Sequence, residues 1–235
     1  MKQRILLASG NAKKLAELRA LCAELPVEIL SPADLPGGLP DVVEDGATFE
    51  ANARKKALAA AAVAAELLGA DVWALADDSG LCVDALNGAP GVFSARFAQL
   101  DGTFAAAAGA AAAGAAGAAG AAAGTGNSVD GANNRRLLRE LEGVPAEKRG
   151  GAFHCALVVA RTVDGQSEVL FGVEGSVRGR LLEEADGTLG FGYDPLFWHE
   201  PSGTTFARLS GDEKALVSHR GEAIRKLRAV LLNAL

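Results

Sequence analysis

The stretch WALADDSGLCVDAL, residues 73–86, joins an apolar run to two adjacent carboxylates. The apolar residues up to Ala76 are typical of a buried strand, which is predicted over Asp71–Ala76. The Ser-Gly pair after the two acids is common in turns. Asp77 and Asp78 repel each other unless a positive charge lies between them or their side chains face different ways. Taken alone, the stretch predicts a strand that ends at Ala76 in a solvated turn.

The segments around this stretch alternate between strand and helix patterns. QRILLAS predicts a buried first strand, and VEILSPADL a short strand before a Pro-rich loop. GAFHCALVVARTV and SEVLFGVEGSVRGRLL predict two long strands joined by the turn Asp164-Gly165. Helices are predicted after Ser9-Gly10-Asn11, over about 48–68, in GANNRRLLRELEGV and at the end of the chain. The last of these carries Ile224, Leu227, Leu231 and Ala234 on one face. The sequence predicts an α/β fold with an extended mixed sheet and helices on both sides.

Composition narrows the class of protein. The 235 residues carry a formal net charge of −6, which argues against a general nucleic-acid binder. Aromatic residues make up only 5%, too few for a surface that stacks single-stranded bases. Cys22, Cys82 and Cys155 form no CxxC, so reduced thiols in a cytoplasmic protein are expected and a zinc site is not. The first apolar run is too short for a signal peptide.

Residues 105–124 contain only alanine and glycine. Twenty uncharged residues could span a bilayer by length, but the absence of Leu, Ile, Val and Phe leaves little to drive insertion. Glycine at short intervals disfavours a continuous helix. We expect a low-complexity insertion, mobile or partly helical, within a single domain of residues 1–235 that does not contact a membrane.

The helix predicted over about 48–68 places a lysine on its apolar stripe. Lys56 lies seven residues after Phe49 and seven before Val63, so all three share one face. Lys55 lies on another face and is expected in solvent. A lysine on an inward face either extends its ammonium back to water or is directed at an anion.

Strand, Ser9-Gly10-Asn11 and helix together form a layout that binds phosphate. Backbone N–H groups and the dipole at the start of a helix attract anions, and Lys14 in the first turn adds positive charge. The alternative is an asparagine-capped helix with an exposed lysine, and alone that alternative is favoured.

Two acidic pairs are candidates for a metal site. Glu44 and Asp45 lie in a loop, where acids are usually solvated. Combined with Asp77 and Asp78, they could supply the one or two carboxylates that Mg²⁺ takes from a protein, with water and phosphate as its other ligands. A metal ion between the pairs would also relieve the repulsion in the opening stretch.

Two further motifs are candidates for a nucleotide pocket. FGYDP could place Phe191 against a base, with Asp194 shaping the pocket, or it could be an ordinary turn before a strand. His219 and Arg220 begin a helix, where an anion is favoured. Lys214 adds a cation near them in sequence. A Ser–His–Asp hydrolase is disfavoured, since the chain has no G-x-S-x-G elbow.

Together these motifs resemble one family. SGNAKK, VVEDGATFEANARKKA, ADDSGLCVDALNGAPGVFSARFA, FGYDPLF and EKALVSHRG follow the order and spacing of the inosine triphosphate pyrophosphatases, the house-cleaning dITP/XTP pyrophosphatases. The resemblance covers nearly the whole chain except residues about 101–127. It implies an elongated α/β fold of two lobes with a central cleft, usually a homodimer. It also implies Mg²⁺-dependent cleavage of ITP, dITP or XTP to the monophosphate and pyrophosphate.

The resemblance assigns roles to individual residues. Asp78 matches the catalytic base, and Glu44 and Asp78 match the metal-binding acids, with Asp77 helping through water. The substrate contacts that it implies are Ser9, Gly10, Asn11, Ala12, Lys13, Lys14, Lys56, Ser79, Phe191, Gly192, Tyr193, Asp194, Lys214, His219 and Arg220.

Two departures and two alternatives accompany this assignment. Ala51 stands where many relatives carry a second glutamate, which weakens any metal role for that helix, and the alanine-glycine tract is foreign to the pattern.

The septum-inhibition-type nucleotide pyrophosphatases share the fold but prefer other modified nucleotides. A non-catalytic nucleotide-binding module would keep the phosphate loop and lose an acid or a cation of the site.

Overall fold

The computed structural model describes residues 2–100 and 129–234. The predicted insertion at about 105–124 lies outside the described residues. The α-helices are α1 Ala12–Leu21, α2 Phe49–Leu68, α3 Val129–Glu140, α4 Gly211–Val217 and α5 His219–Ala234. The strands are β1 Gln3–Leu7, β2 Val27–Leu30, β3 Trp73–Val83, β4 Gly150–Val163, β5 Gln166–Leu181, β6 Phe197–His199 and β7 Thr204–Thr205.

The strands form one mixed sheet in the order β2-β1-β3-β4-β5-β6-β7. β1 pairs in parallel with β2 and with β3, whereas β6 pairs antiparallel with β5 and with β7. β4 and β5 are joined at Asp164 and Gly165, which both have positive φ, the conformation of a tight hairpin turn. The predicted α/β class, the mixed sheet and its long strands are confirmed.

The predicted end of the third strand is wrong. β3 does not stop at Ala76 but continues to Val83, so Asp77 and Asp78 lie inside the strand and both are buried. The turn signals of Ser79-Gly80 are overridden because cations from other elements compensate the two carboxylates. Because the strand continues, the side chains of Asp77 and Asp78 point to its two opposite faces.

The chain divides into two compact units. Unit 1 comprises Met1–Ser79, His154–Ser176 and Val217–Leu235, and unit 2 comprises Gly80–Phe153 and Val177–Leu216. The core of unit 1 packs α1 and α5 against strand residues such as Leu7, Leu75 and Leu157. A second cluster of unit 1 consists mainly of small side chains of α2, β3 and β4. In unit 2 the rings of Phe153, Phe197 and Phe206 lie with centroids 4.7–6.0 Å apart.

The closing helix and the cysteines agree with the predictions made from the sequence, with one exception. Ile224, Leu227 and Leu231 are buried as predicted, but Ala234 is exposed because it lies at the end of α5, beyond its packing partners. All three cysteines of the chain lie in described segments, and none forms a disulfide. Among the described helices, none combines the length and apolarity needed to cross a membrane.

Candidate functional site

The two adjacent acids of β3 contact different partners. Asp77 lies 2.7 Å from the ammonium of Lys14 on α1 and 3.6 Å from the guanidinium of Arg220 on α5. Asp78 contacts two side chains of α2 instead. Because successive side chains of a strand point to opposite faces, each acid meets the helices packed on its own side. The mutual repulsion posed by the sequence is relieved in this way.

Asp77 is a buried, ion-paired carboxylate. Burial alone raises its pKa, but the charges of Lys14 and Arg220 outweigh burial and hold the pKa at about 2. Its Oδ1 atom is buried and accepts no hydrogen bond from any described residue. Asp77 is therefore ionised at neutral pH, with one oxygen left without a donor.

Arg220 is buried as well and links α5, on which it lies, to α1 and β3. Its guanidinium donates to Glu17 Oε2 at 3.2 Å and to Ser79 Oγ at 3.1 Å, in addition to facing Asp77. Ser218 caps the start of α5 by accepting the Gly221 N–H at 3.1 Å. His219, the first residue of α5, is also buried. In this structure Arg220 acts as an internal counter-ion.

Asp78 has the opposite electrostatic character. Its Oδ1 accepts a hydrogen bond from Lys56 Nζ at 3.2 Å, and its Oδ2 accepts one from Asn52 Nδ2 at 3.2 Å. Burial raises the pKa of Asp78, the charge of Lys56 lowers it, and the nearby Glu44 carboxylate raises it further, so the net direction is upward. A carboxylate with a raised pKa is a better proton acceptor than an ordinary one.

Lys56 confirms the prediction from helical periodicity. Its ammonium lies 3.2 Å from Asp78 and 3.3 Å from Glu44, and only 15% of its side chain is exposed. Burial lowers the pKa of Lys56, but the charges of Asp78 and Glu44 outweigh it, so the pKa is raised and the lysine stays charged. The neighbouring Lys55 is exposed and pairs with Asp45 at the surface.

The Ser9 loop is organised as an asparagine cap. Asn11 Oδ1 accepts the N–H groups of Lys13 at 2.9 Å and Lys14 at 3.2 Å, and Asn11 N–H donates to Ser9 Oγ at 3.2 Å. The asparagine cap of the alternative is confirmed, but its exposed lysine is wrong, because Lys14 is half-buried and lies 2.7 Å from Asp77. A phosphate at this loop would approach Gly10 and Ala12, which are exposed along with Lys13.

A pocket of about 330 Å³ in unit 1 opens beside these groups. Its lining combines the Ser9-Gly10 loop, the segment Leu39–Val42, Glu44, and the inward face of α2 from Lys56 to Ala60. Lys56 therefore lines the pocket and contacts both Glu44, which also lines it, and the catalytic candidate Asp78.

The residues predicted for a metal site fit Mg²⁺. The ion pairs of unit 1 form two groups, Glu17 and Asp77 with Lys14 and Arg220, and Glu44 and Asp78 with Lys56, so acids exceed cations in the second group. Within 2–100 and 129–234 no three His, Cys, Asp or Glu side chains form a metal-binding group. Magnesium needs only one or two protein carboxylates, and Glu44 and Asp78, which share the single ammonium of Lys56, are oxygen donors suited to a hard cation.

The FGYDP loop and Lys214 form a separate cluster in unit 2. Asp194 Oδ2 accepts the Phe191 N–H at 2.8 Å and also contacts the ammonium of Lys214. That ammonium lies 4.5 Å from the centroid of the Phe191 ring, a cation–π contact. Asp194 and Lys214 are both buried. Asp194 thus fixes the loop and the lysine together, as a residue that shapes a pocket would.

The other residues of this loop contact α3 and its surroundings. Gly192 N–H donates to Asp130 Oδ2 at 2.8 Å, and Gly192 O accepts from Asn134 at 3.0 Å. Tyr193 is buried, and its hydroxyl donates to Ser94 O at 2.9 Å. Burial raises the pKa of this hydroxyl. Unit 2 therefore holds the loop from both sides.

Sequence reasoning missed Asn52 and Glu17. Asn52 is fully buried and lies one turn before Lys56 on α2, so a polar residue four positions from the inward lysine was the available signal. Glu17 pairs with Arg220, 203 positions away, and no local pattern indicates that contact.

Comparison with known proteins agrees with this geometry. A model of the Ham1 family matches residues 5–230. A dITP/XTP pyrophosphatase of Anaeromyxobacter sp. is 48% identical over 229 residues, covering 97% of this chain and 96% of that protein. Its counterpart in Anaeromyxobacter dehalogenans is 46% identical over 238 residues, with the same two coverages. The structure of a HAM1 protein from Coxiella burnetii covers 99% of this chain and 100% of its own, with a TM-score of 0.75 and 33% identity. These matches confirm the resemblance seen in the motifs, and the chain belongs to the Ham1 family.

Proposed function

We propose that this chain hydrolyses non-canonical purine nucleoside triphosphates (dITP, XTP and ITP) to the monophosphate and pyrophosphate. The observation that carries the proposal is the pair of acids on β3. One is neutralised by Lys14 and Arg220, and the other, Asp78, has a raised pKa beside Lys56. The names of the relatives, dITP/XTP pyrophosphatases, support the same substrate class.

Lys14 and Lys56 are proposed to bind the phosphate chain. In the structure both are paired with carboxylates, Lys14 with Asp77 and Lys56 with Asp78 and Glu44. A triphosphate carries several negative charges, so each ammonium gains a further anionic partner when the substrate binds. The same cations stabilise the charge that develops on the departing pyrophosphate.

Glu44 and Asp78 are proposed to hold Mg²⁺, with Asp77 contributing through water. Bound there, the ion would offset substrate charge and lower the pKa of water. Asp78 orients the attacking water and accepts its proton. The water oxygen bonds to the α-phosphorus, and the bond from that phosphorus to the α–β bridging oxygen breaks. The bridging oxygen keeps the electron pair and leaves as part of pyrophosphate. A raised pKa suits Asp78 to this acceptance.

The purine base is proposed to contact residues of unit 2 that the resemblance assigns to the substrate, Phe191–Asp194 and Lys214; His219 and Arg220, which it also assigns, are buried in unit 1. A 6-oxo purine presents an acceptor where adenine presents an amino donor, so a donor in the pocket favours inosine and xanthine. A buried polar group left unpaired by the wrong base discriminates by on the order of 10⁴-fold.

Pyrophosphate release from the purified chain tests this proposal. dITP, XTP and ITP should each yield equal amounts of monophosphate and pyrophosphate with Mg²⁺ present. EDTA should abolish the reaction, and dATP should react far more slowly. Tight binding of dITP without hydrolysis would indicate the non-catalytic module instead, and release of single phosphates would contradict the assigned bond cleavage.

A cytoplasmic location and a homodimer complete the proposal. Both are expected from the family resemblance, and unpaired thiols are compatible with a reducing compartment. Light scattering on the purified protein measures the oligomeric state, for which twice the mass of 23.9 kDa is expected.

A further inference from the structure

Asn52 makes two hydrogen bonds from a fully buried position on α2. Its Oδ1 accepts the backbone N–H of Gly46 at 2.8 Å, and its Nδ2 donates to Asp78 Oδ2 at 3.2 Å. The Gly46 N–H can only donate, so the amide orientation is fixed and the NH₂ group must face Asp78. One neutral side chain thus links an acidic loop to the candidate base.

The carboxylate of Asp78 is held at both oxygens. Lys56 donates to Oδ1 and Asn52 donates to Oδ2, which fixes the plane of the group as well as its position. Lys56 carries charge and contacts Glu44 as well, so substrate phosphates compete for it. Asn52 carries no charge and is buried, so its bond to Asp78 persists when the charges around it change.

The backbone around Gly46 is shaped to meet Asn52. A Cβ placed on Gly46 would lie 2.6 Å from Asn52 Oδ1 and 2.9 Å from the Ala51 side chain. Only glycine therefore lets the loop approach the amide at this distance. That loop also carries Glu44, the other acid assigned to the metal, so the Asn52 amide sets the positions of Glu44 and Asp78 relative to each other.

We propose that Asn52 is a positioning residue for the hydrolytic reaction: it orients the Asp78 carboxylate and anchors the Glu44–Gly46 loop, without touching the substrate. This inference rests on the proposed function. It assigns a role to a residue outside the predicted substrate and metal contacts, and it predicts an effect on turnover rather than on substrate affinity.

Three variants separate this role from simple structural support. Asn52→Leu removes both hydrogen bonds and keeps the number and branching of the side-chain heavy atoms. Asn52→Asp keeps the acceptor for Gly46 N–H but turns the donor toward Asp78 into an acceptor. Thr205→Val is the control, because it removes the hydrogen bond that another fully buried residue donates, Thr205 Oγ1 to Asp186 O at 2.7 Å, in unit 2.

The measurements are kcat and KM for dITP, together with the melting temperature of each variant. Asn52→Leu should lower kcat about 10–100-fold while KM changes less than about threefold. Asn52→Asp should lower kcat at least as much, since its carboxylate either repels Asp78 or shares a proton with it and blocks the base. Thr205→Val should lower the melting temperature and leave kcat near the wild-type value.

The outcomes distinguish the two proposals. A wild-type chain that does not hydrolyse dITP contradicts the proposed function, and this inference with it. An active wild type with unchanged kcat in folded Asn52→Leu overturns the positioning role alone. Near wild-type kcat in Asn52→Asp, which preserves side-chain volume and the loop anchor, also overturns it, even if Asn52→Leu fails to fold.

Discussion

Asp77 and Asp78 are neighbours in the chain, yet the two faces of β3 give them opposite properties. On one face, Lys14 and Arg220 hold the pKa of Asp77 at about 2 against the effect of burial. On the other face, Asp78 shares Lys56 with Glu44, and burial raises its pKa. The difference shows that charge balance, rather than burial, decides the direction in which the pKa of each buried carboxylate shifts.

The comparison also explains how the strand tolerates both acids. A buried charge costs several kcal/mol unless a partner of opposite charge and hydrogen bonds compensate it. Asp77 is compensated by two cations, and Asp78 by one shared cation and one amide. The incompletely compensated acid faces α2 and the Glu44 loop, where the proposed chemistry takes place.

The largest effect is expected for Asp78→Asn. Removing the proton acceptor should lower kcat for dITP by about 10²–10⁴-fold, while dITP still binds. The melting temperature should not fall, because the raised pKa indicates that the charged form is disfavoured in the fold. Steady-state kinetics with calorimetric binding of dITP measures both, and a variant with near wild-type kcat would refute the assigned role.

Asp77→Asn should act mainly on stability. The variant leaves the buried Arg220 and the half-buried Lys14 beside an uncharged side chain, and breaking a buried pair in this way costs about 3–5 kcal/mol. The free energy of unfolding, measured in urea, should fall by this amount. A loss as small as that of a surface ion pair would show that Asp77 is not the anchor of the cluster.

Lys56→Met should lower kcat about 10²-fold, since it removes a preorganised cation from Asp78 and the phosphates. Lys55→Met is the matched control on the next residue. Lys55 is exposed and pairs only at the surface, so its loss should change kcat less than about twofold. Equal effects of the two substitutions would contradict the assignment of faces on α2.

Acid stability gives the smallest effect. The folded-state pKa of Asp77 lies below the ordinary value, so its contribution is complete above about pH 4 and is lost as the pH falls towards about 2. Over that range the wild-type chain should lose roughly 2 kcal/mol more unfolding free energy than Asp77→Asn. Asp78, with a raised pKa, acts in the opposite direction in both proteins, so the difference isolates Asp77.

The sequence predicted best what depends on periodicity. The inward position of Lys56 followed from its spacing to Phe49 and Val63, and its contacts with Glu44 and Asp78 confirm it. The mixed sheet and its long strands followed from continuous apolar runs. Helical spacing and apolar runs are local properties of the sequence, so they can be predicted without knowledge of distant contacts.

What the sequence did not predict depends on contacts between distant segments. The strand end at Ala76 was predicted from turn-forming residues, but Lys14 and Arg220 make a buried Asp77 acceptable and the strand continues. Asn52 was missed because its position one turn before Lys56 does not reveal its partners, Gly46 and Asp78. Local propensity cannot predict such partners, because they come from other segments of the chain.

Carboxyl ¹³C NMR of the metal-free protein tests the contrast between the two acids most directly, with signals assigned through Asp77→Asn and Asp78→Asn. The Asp78 signal should titrate at a higher pH than an ordinary aspartate, whereas the Asp77 signal should keep its ionised position until the pH approaches about 2. If the two signals titrate together, or if Asp77 takes up its proton before Asp78, the two faces of β3 do not divide the acids into a structural and a reactive one.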